Sequence, residues 1–209
     1  MNEELINILQ KVRCLYMKYG IKSVTMDDIA RELGISKKTL YQYVEDKNDL
    51  VAKVVEMEIA EKTKIFNSTD HAGLNAVEDV FEVHRHVQQM IKDYNPATDY
   101  DLRKYYPELY SQVIKVRREY IYKNVIENLK KGKAEGLYRT DFNDMLIAKV
   151  QLSRIEATFD EKVFTHDELL SPQLFKEIFV YHIRGIANER GLKVLEQKLK
   201  ELDNNNKNE

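Results

Sequence analysis

Residues 25–44 read TMDDIARELGISKKTLYQYV, and this stretch decides the fold of the chain. It holds two short segments of helical periodicity with Gly34 between them. Thr25 and Asp28 are spaced as in a capping box, which predicts the start of the first helix. Gly34 can supply the left-handed backbone that a tight turn needs, and Ser36 can cap the second helix. The stretch therefore predicts a helix-turn-helix.

Helical periodicity continues on both sides of this stretch. Upstream, one apolar face is formed by Leu5, Leu9, Val12, Tyr16 and Tyr19. Downstream, prolines and glycines at the joints divide predicted helices over residues 47–66, 74–94, 98–105, 107–135, 142–160 and 172–190. We expect an all-α chain of about nine or ten helices, with an N-terminal three-helix helix-turn-helix domain and a larger C-terminal helical domain.

The net charge of −2 over 209 residues hides an asymmetry. Residues 11–43 carry seven basic and three acidic side chains, a net charge of +4, so the remainder carries −6. Such a division predicts a small basic module on an acidic body. One cysteine excludes a disulfide framework, and no uncharged apolar run approaches the roughly 18 residues of a membrane span. We therefore predict a cytoplasmic protein with no membrane partner.

The segment from Val12 to Val55 resembles the DNA-binding domain of TetR-family transcriptional regulators. The similarity is carried by YG at 19–20, TMDDIA at 25–30, LGISKKTLYQY at 33–43 and DKNDL at 46–50. Farther along, Gly132 and EGLYRTD at 135–141 resemble the segment that closes a long helix in the family's ligand-binding domain. The resemblance implies a sequence-specific regulator of transcription, expected to be a repressor, that binds a palindromic operator as a dimer and is released by a small-molecule effector.

Carried over residue by residue, the resemblance implies three groups of DNA contacts. Thr25 and Lys47 would each hold a phosphate, and Ser36 lies at the start of the recognition helix. The side chains expected to face the major groove and its walls are Lys37, Lys38, Thr39, Tyr41, Gln42 and Tyr43. Lysine and tyrosine position a helix on phosphates, whereas Gln42 and Thr39 can contact an adenine edge or a thymine methyl.

The resemblance also implies a dimer interface and an effector site in the C-terminal domain. Apolar residues on the last two long helices are the interface candidates, namely Ile147, Leu152, Ile155, Leu174, Ile178, Phe179 and Ile183. Their alternative role is the core of the chain itself. The candidates for a pocket that takes an apolar or aromatic effector are Phe81, His84, Tyr105, Tyr106, Tyr110, Tyr122 and Phe159. Their alternative role is at the edges of the core.

These assignments predict four segments. Residues 1–46 form the DNA-binding domain, and residues 47–66 form a connecting helix. Residues 67–203, which begin with a polar loop over residues 67–73, form the effector-binding and dimerisation domain, and residues 204–209 form a frayed tail. The predicted partners are double-stranded DNA, a second copy of the chain and an unidentified small molecule.

No catalytic, metal or cofactor site is predicted from the sequence. His84 and His86 are two residues apart, so on one helix they point to different faces. The paired Glu-x-x-His pattern of a di-iron bundle is missing. The alternative to a DNA-binding regulator is therefore a helical ligand-sensing or scaffold module that keeps the fold without specific DNA binding. An enzyme built within the bundle is a weaker third reading.

Overall fold

A computed structural model describes residues 2–68, 73–92, 95–160 and 162–205 of the chain. Within these ranges the chain forms eleven helices and no strand, which confirms the all-α fold class. The helices are α1 (Glu3–Tyr19), α2 (Met26–Leu33), α3 (Lys37–Leu40), α4 (Lys47–Ser68), α5 (Ala76–Lys92), α6 (Pro96–Tyr105), α7 (Pro107–Ala134), α8 (Asp144–Thr158), α9 (His166–Leu170), α10 (Pro172–Ile186) and α11 (Glu189–Asn205). None of them is long and apolar enough to cross a membrane.

The local capping signals of the sequence are confirmed. The Thr25 hydroxyl accepts a hydrogen bond from the Asp28 backbone N–H (3.1 Å), and Asp28 Oδ2 accepts one from the Thr25 backbone N–H (3.0 Å), which completes the capping box. Gly34 ends α2 in the left-handed region, with φ of 68°. Because these bonds join residues three positions apart, the sequence alone was sufficient to predict them.

Three elements differ clearly from the prediction. The helix predicted over residues 172–190 ends at Ile186, because Ala187 has an extended backbone and α11 begins at Glu189. The α-helix α3 ends at Leu40 and not at Val44, because residues 41–43 continue as a tighter turn in which Tyr43 N–H donates to the Leu40 carbonyl. The additional helix, α9, begins after Thr165, whose side chain and Glu168 form a second capping box. This short helix raises the count to eleven, above the expected nine or ten.

The chain divides into two compact units. The first contains α1–α4, α6 and the part of α7 up to Arg117, and the second contains α5, the rest of α7 and α8–α11. This division cuts across the predicted boundary at residue 67, because residues 95–117 belong to the first unit. The predicted boundary loop lies partly outside the described residues. Helix α11 extends to Asn205, into the predicted tail, and residues 206–209 lie outside the described chain.

Each unit has its own apolar core. In the first unit, α1, α2, α3 and α4 bury a cluster that includes Leu9, Val12, Ile29, Leu40 and Leu50. Leu102 from α6 and Leu109 and Val113 from α7 pack against it. In the second unit the fully or almost fully buried side chains are Ala76, Val77, Leu129, Tyr138, Ala148, Ile183 and Leu195. Burial of apolar surface on this scale is the main favourable term in folding each unit.

Candidate functional site

Helices α2 and α3 are held at a fixed angle by a small buried contact. Ile29 on α2 and Leu40 on α3 have no exposed surface, and Ala30 beside them is also buried. The Ile35 backbone N–H donates to the Ala30 carbonyl (3.0 Å), which closes the turn around Gly34. The opposite side of α3 is therefore available to a partner, in a conformation that is already organised.

Four of the six side chains predicted to face the major groove are exposed. Lys37, Lys38, Tyr41 and Gln42 are exposed, whereas Thr39 and Tyr43 are half-buried. Two of these positions already bond to an acidic side chain. Lys37 Nζ donates to Asp27 Oδ2 (3.0 Å), and a hydrogen bond from Tyr43 to Glu4 raises the pKa of the Tyr43 hydroxyl. A phosphate group would have to displace these carboxylates to reach Lys37 or Tyr43.

Two hydroxyl groups predicted to meet DNA act as helix caps. Thr25 Oγ1 donates to Asp28 Oδ2 (2.6 Å), and Ser36 Oγ accepts from the Thr39 backbone N–H (3.0 Å). Ser36 Oγ also lies 2.8 Å from Thr39 Oγ1. Since each cap contributes about 1 kcal/mol to its helix, Thr25 and Ser36 shape the surface whether or not they also touch DNA.

Lys47, the first residue of α4, adjoins another cation. It is half-buried, and its Nζ donates to the backbone carbonyl of Lys22 (3.3 Å). Burial and the positive charge of Lys22 lower the pKa of the Lys47 ammonium, although Asp101 and Asp28 act in the opposite direction. An anion bound beside these two ammonium groups would stabilise their positive charges.

The structure separates the seven effector candidates into two groups. Tyr105, Tyr106 and Tyr110 lie in the first unit, where Tyr106 packs against the core. Phe81, Tyr122 and Phe159 pack around the core of the second unit. His84 joins this second group, because its ring meets Phe179 edge to face with 5.2 Å between centroids.

His84 is the polar member of the second group. Burial and the charge of Lys176 lower the pKa of its imidazole, so His84 is neutral at pH 7. Its Nε2 atom is buried without a hydrogen-bond partner among the described residues. A buried polar atom without a partner is costly, and a ligand that supplies the hydrogen bond would recover that cost.

The seven predicted interface residues also fall into two groups. Phe179 and Ile183 are buried in the core of the second unit, since they pack against α5 and its neighbours within one chain. Ile147, Leu152, Ile155, Leu174 and Ile178 are only half-buried. The periodicity of α10 predicted that all these residues share an apolar role, but it could not separate packing within the chain from packing against a second chain.

The most exposed apolar side chains of α8 and α10 were missed by sequence reasoning. Leu146 is 60% exposed, Val150 is 56% exposed and Tyr181 is 71% exposed, and Met145 lies beside them on α8. We name Met145, Leu146, Val150 and Tyr181 the α8–α10 apolar face. The available signal was that apolar residues occur on all sides of α8. The core of the chain can cover only one side of such a helix, so another side stays exposed.

Residues 8–54 match the family model described as "Bacterial regulatory proteins, tetR family". The match covers most of α1, all of α2 and α3 and the start of α4, so this segment of the chain is similar to the TetR family. An uncharacterized HTH-type transcriptional regulator of Bacillus subtilis (strain 168), YvaF, is 38% identical over 85 residues, which make up 40% of this chain and 45% of that relative. Another, from Mycobacterium tuberculosis (strain ATCC 25618 / H37Rv), is 44% identical over 64 residues, 31% of this chain and 26% of that relative. The chain thus aligns with less than half the length of these curated relatives.

Over most of its length the chain is similar in fold to solved structures of transcriptional regulators. A TetR-family transcriptional regulator from Streptomyces coelicolor superposes with a TM-score of 0.66 at 16% identity, over 87% of this chain and 94% of that one. A transcriptional regulator from Cytophaga hutchinsonii gives 0.68 at 17% identity, over 89% and 98%. One from Saccharomonospora viridis, solved in complex with choline, gives 0.65 at 14% identity, over 90% and 100%.

Buried polar side chains in the second unit were a further feature that the sequence did not reveal. Gln151, Thr158 and His182 are buried. Arg154 connects α8 to α10, because its Nη1 donates to Gln151 Oε1 and its Nη2 to the carbonyl of Ile178, both at 3.1 Å. These bonds satisfy polar groups that would otherwise destabilise the interior.

His182 makes the stability of this chain sensitive to acid. Burial, and then the charge of Arg154, lowers the pKa of its imidazole to about 4, whereas an unfolded histidine titrates near 6.5. The unfolded state therefore takes up the proton first, and stability is lost as the pH falls from about 6.5 toward 4. We expect His182 to cost about 2 kcal/mol of the free energy of unfolding between pH 7 and pH 5.

The comparison of two variants checks this value. The His182→Gln variant should lose less stability than the wild type between pH 7 and pH 5 in urea unfolding, whatever its stability at pH 7. The matched control is His86→Gln, which removes an exposed histidine. If His182→Gln and the wild type lose the same free energy over this interval, His182 does not titrate as described.

Proposed function

We propose that this chain is a cytoplasmic transcriptional repressor that binds a palindromic operator as a homodimer and leaves it when a small-molecule effector binds. The observation that carries the proposal is the exposed surface of α3 and the turn after it. There Lys37, Lys38, Tyr41 and Gln42 project from a helix that its caps and a buried contact hold in place.

The chemistry of this surface suits the major groove of DNA. Lysine and tyrosine can bond phosphates along the groove walls, and the Gln42 amide can bond the N6 and N7 atoms of adenine. Because α3 is one short helix, a single copy contacts only a few base pairs. Two copies on half-sites one helical turn apart, about 34–36 Å, would supply the remaining specificity.

Selection of bound sequences from random duplexes is the experiment that tests the proposal. We expect an enriched palindrome whose half-sites are lost when Gln42 is replaced by alanine. A wild-type chain that enriches no sequence even at low salt would contradict specific DNA binding. That result would favour a helical ligand-sensing or scaffold module.

The α8–α10 apolar face supports the homodimer. Leu146, Val150 and Tyr181 are exposed on adjacent helices, and the half-buried Leu152, Ile155 and Ile178 lie on the same two helices. Exposed apolar side chains grouped in this way on a folded chain are typical of a protein interface. A symmetric dimer would cover the same face on both copies.

The aromatic group in the second unit supports an effector that is apolar or aromatic. Phe81, Tyr122 and Phe159 offer apolar contact, and His84 offers one ring nitrogen for a hydrogen bond. Small-molecule sites are typically lined by apolar and aromatic side chains with few polar groups, and these four side chains have that chemistry. A thermal-shift screen of the chain should find a ligand that raises Tm, and the shift should shrink in His84→Ala.

Asp27 and Lys37 should have opposite effects on DNA binding. Their ion pair is exposed, so its own contribution is at most about 1 kcal/mol. Asp27→Asn frees Lys37 and removes a carboxylate from the surface that DNA approaches, so we expect duplex affinity to rise up to roughly fivefold. Lys37→Ala should weaken binding and lower the slope of log affinity against log salt by about 1 per protomer. A salt titration of both variants measures the effects, and an unchanged slope in Lys37→Ala would remove Lys37 from the phosphate contacts.

A further inference from the structure

Helix α6 is fixed to the end of α1, within the first unit. Three hydrogen bonds make the connection, from Asn95 Nδ2 to Met17 O (2.7 Å), from Thr98 Oγ1 to Tyr16 O (2.6 Å) and from the Lys22 backbone N–H to Asp101 Oδ2 (2.7 Å). The first bond satisfies a carbonyl group in the last turn of α1, where helical partners run out. The second adds to the bond that Tyr16 O already accepts from the Gly20 N–H (2.9 Å). The side chains of α6 are therefore positioned by the same unit that carries α2 and α3.

Cationic and aromatic side chains alternate along this junction. Lys22 Nζ lies 4.7 Å from the centroid of the Tyr105 ring, and Lys104 Nζ lies 5.3 Å from the same centroid. Lys104 Nζ also donates to the Tyr100 hydroxyl (2.8 Å). All four side chains are exposed. Among the residues that the structure describes, neither ammonium group pairs with a carboxylate.

This junction continues the expected phosphate contacts of the helix-turn-helix. Lys47 Nζ donates to the carbonyl of Lys22, and burial together with the positive charge of Lys22 lowers the pKa of the Lys47 ammonium. The nearby carboxylates already have bonds of their own, because Asp101 accepts the Lys22 N–H and Asp28 completes the capping box. Lys47, Lys22 and Lys104 thus form a row of positive charge, with the Tyr105 ring between Lys22 and Lys104.

We propose that Lys22, Lys104 and Tyr105 form a second phosphate-binding surface, on which α6 extends the DNA contact of this chain beyond its helix-turn-helix. The inference rests on the proposed function, and it concerns a helix outside the 8–54 segment that matches the family model. The occupant is the sugar–phosphate backbone of duplex DNA next to the phosphates that Lys47 holds. Lysine ammonium groups and a tyrosine hydroxyl are suitable donors to phosphate oxygens.

Phosphate contacts leave a measurable signature. Each lysine that neutralises a DNA phosphate releases condensed counterions and adds about 0.9 to the slope of log affinity against log salt. The contact carries no base specificity, so it acts on random-sequence duplex as well as on an operator. Lys22 and Lys104 together should therefore contribute about 2 to the slope for each bound protomer.

The test is a salt titration of the full chain on a fluorescent random-sequence duplex. We expect K22Q/K104Q to bind more weakly than the wild type and to show a slope lower by about 2 per protomer. The matched control is K115Q/K130Q, which removes the same charge from two exposed positions on α7. A slope in K22Q/K104Q equal to that of K115Q/K130Q would overturn the inference, because the loss would then be one of net charge alone.

Two further variants separate the possible failures. K104Q changes a side chain outside the hydrogen bonds between α6 and α1, so it can test the second surface even if the double variant is misfolded. Its expected slope is lower than that of the wild type by about 1 per protomer. Lys38→Gln removes a cation of α3. If Lys38→Gln lowers the slope and K104Q does not, the proposed function stands and the second surface is wrong. A wild-type chain that binds no duplex would overturn both.

Discussion

Replacing Gly132 by alanine is expected to destabilise the second unit by about 3 kcal/mol. A Cβ atom at this position of α7 would lie 2.1 Å from Cδ2 and 2.3 Å from Cε2 of Tyr138. The ring cannot move aside easily, because Tyr138 is buried and its hydroxyl donates to Asn128 Oδ1 (2.9 Å). Either α7 shifts or the Tyr138 ring leaves the core, and each of these changes removes packing contacts. Urea unfolding of the full chain measures the loss.

Gly185→Ala is the matched control. Gly185 also lies in a helix, α10, but a Cβ atom there would meet no atom within 4 Å. Because alanine favours helix by up to about 1 kcal/mol over glycine, Gly185→Ala should be neutral or slightly stabilising. A Gly132→Ala variant as stable as Gly185→Ala would show that the ring of Tyr138 does not fill the space above Gly132.

A double variant isolates the contact itself. In Gly132→Ala, the further change Tyr138→Leu removes the ring atoms that the new Cβ would strike. The two changes should therefore cost less together than the sum of their separate costs. Strict additivity would mean that Gly132→Ala acts through the backbone of α7 and not through Tyr138.

Local chemistry explains which parts of the fold could be predicted from the sequence. The capping box at Thr25, the turn at Gly34 and the cap at Ser36 depend on residues at most five positions apart, so their pattern is visible in the sequence. These local signals also predict the exposed surface of α3, because the direction of a short helix determines which of its sides is exposed. The candidate DNA contacts on α3 could therefore be named before the structure was known.

Contacts between distant residues explain what could not be predicted. The bonds from Asn95 and Thr98 to α1 span about 80 positions, and nothing in the local pattern of α6 indicates them. For this reason the sequence could not show that Tyr105 and Tyr106, two candidates for an effector pocket, lie in the first unit. In the same way, the period of α10 could not show that Ile183 is covered by its own chain.

Replacing Val150 by glutamate is expected to convert the proposed homodimer to a monomer. Val150 lies at the centre of the exposed side of α8, near Leu146, and a carboxylate on each copy would be buried without a partner if the two faces met. In a symmetric interface both copies carry the substituted residue. Since a monomer holds only one half-site, operator affinity should fall by about 10²–10⁴-fold. Sedimentation at micromolar concentration and an operator titration measure the two effects.

Val163→Glu provides the comparison for this variant. Val163 is 58% exposed and Val150 is 56% exposed, so both substitutions place the same charge on an equally accessible apolar residue. Val163 lies in the loop between α8 and α9, outside the α8–α10 apolar face, and its variant should remain a dimer that binds the operator normally. If Val150→Glu stays dimeric as well, the two copies meet through another surface. If it becomes monomeric yet keeps wild-type operator affinity, the requirement for two recognition helices is wrong, because the energy of binding would then come from one copy alone.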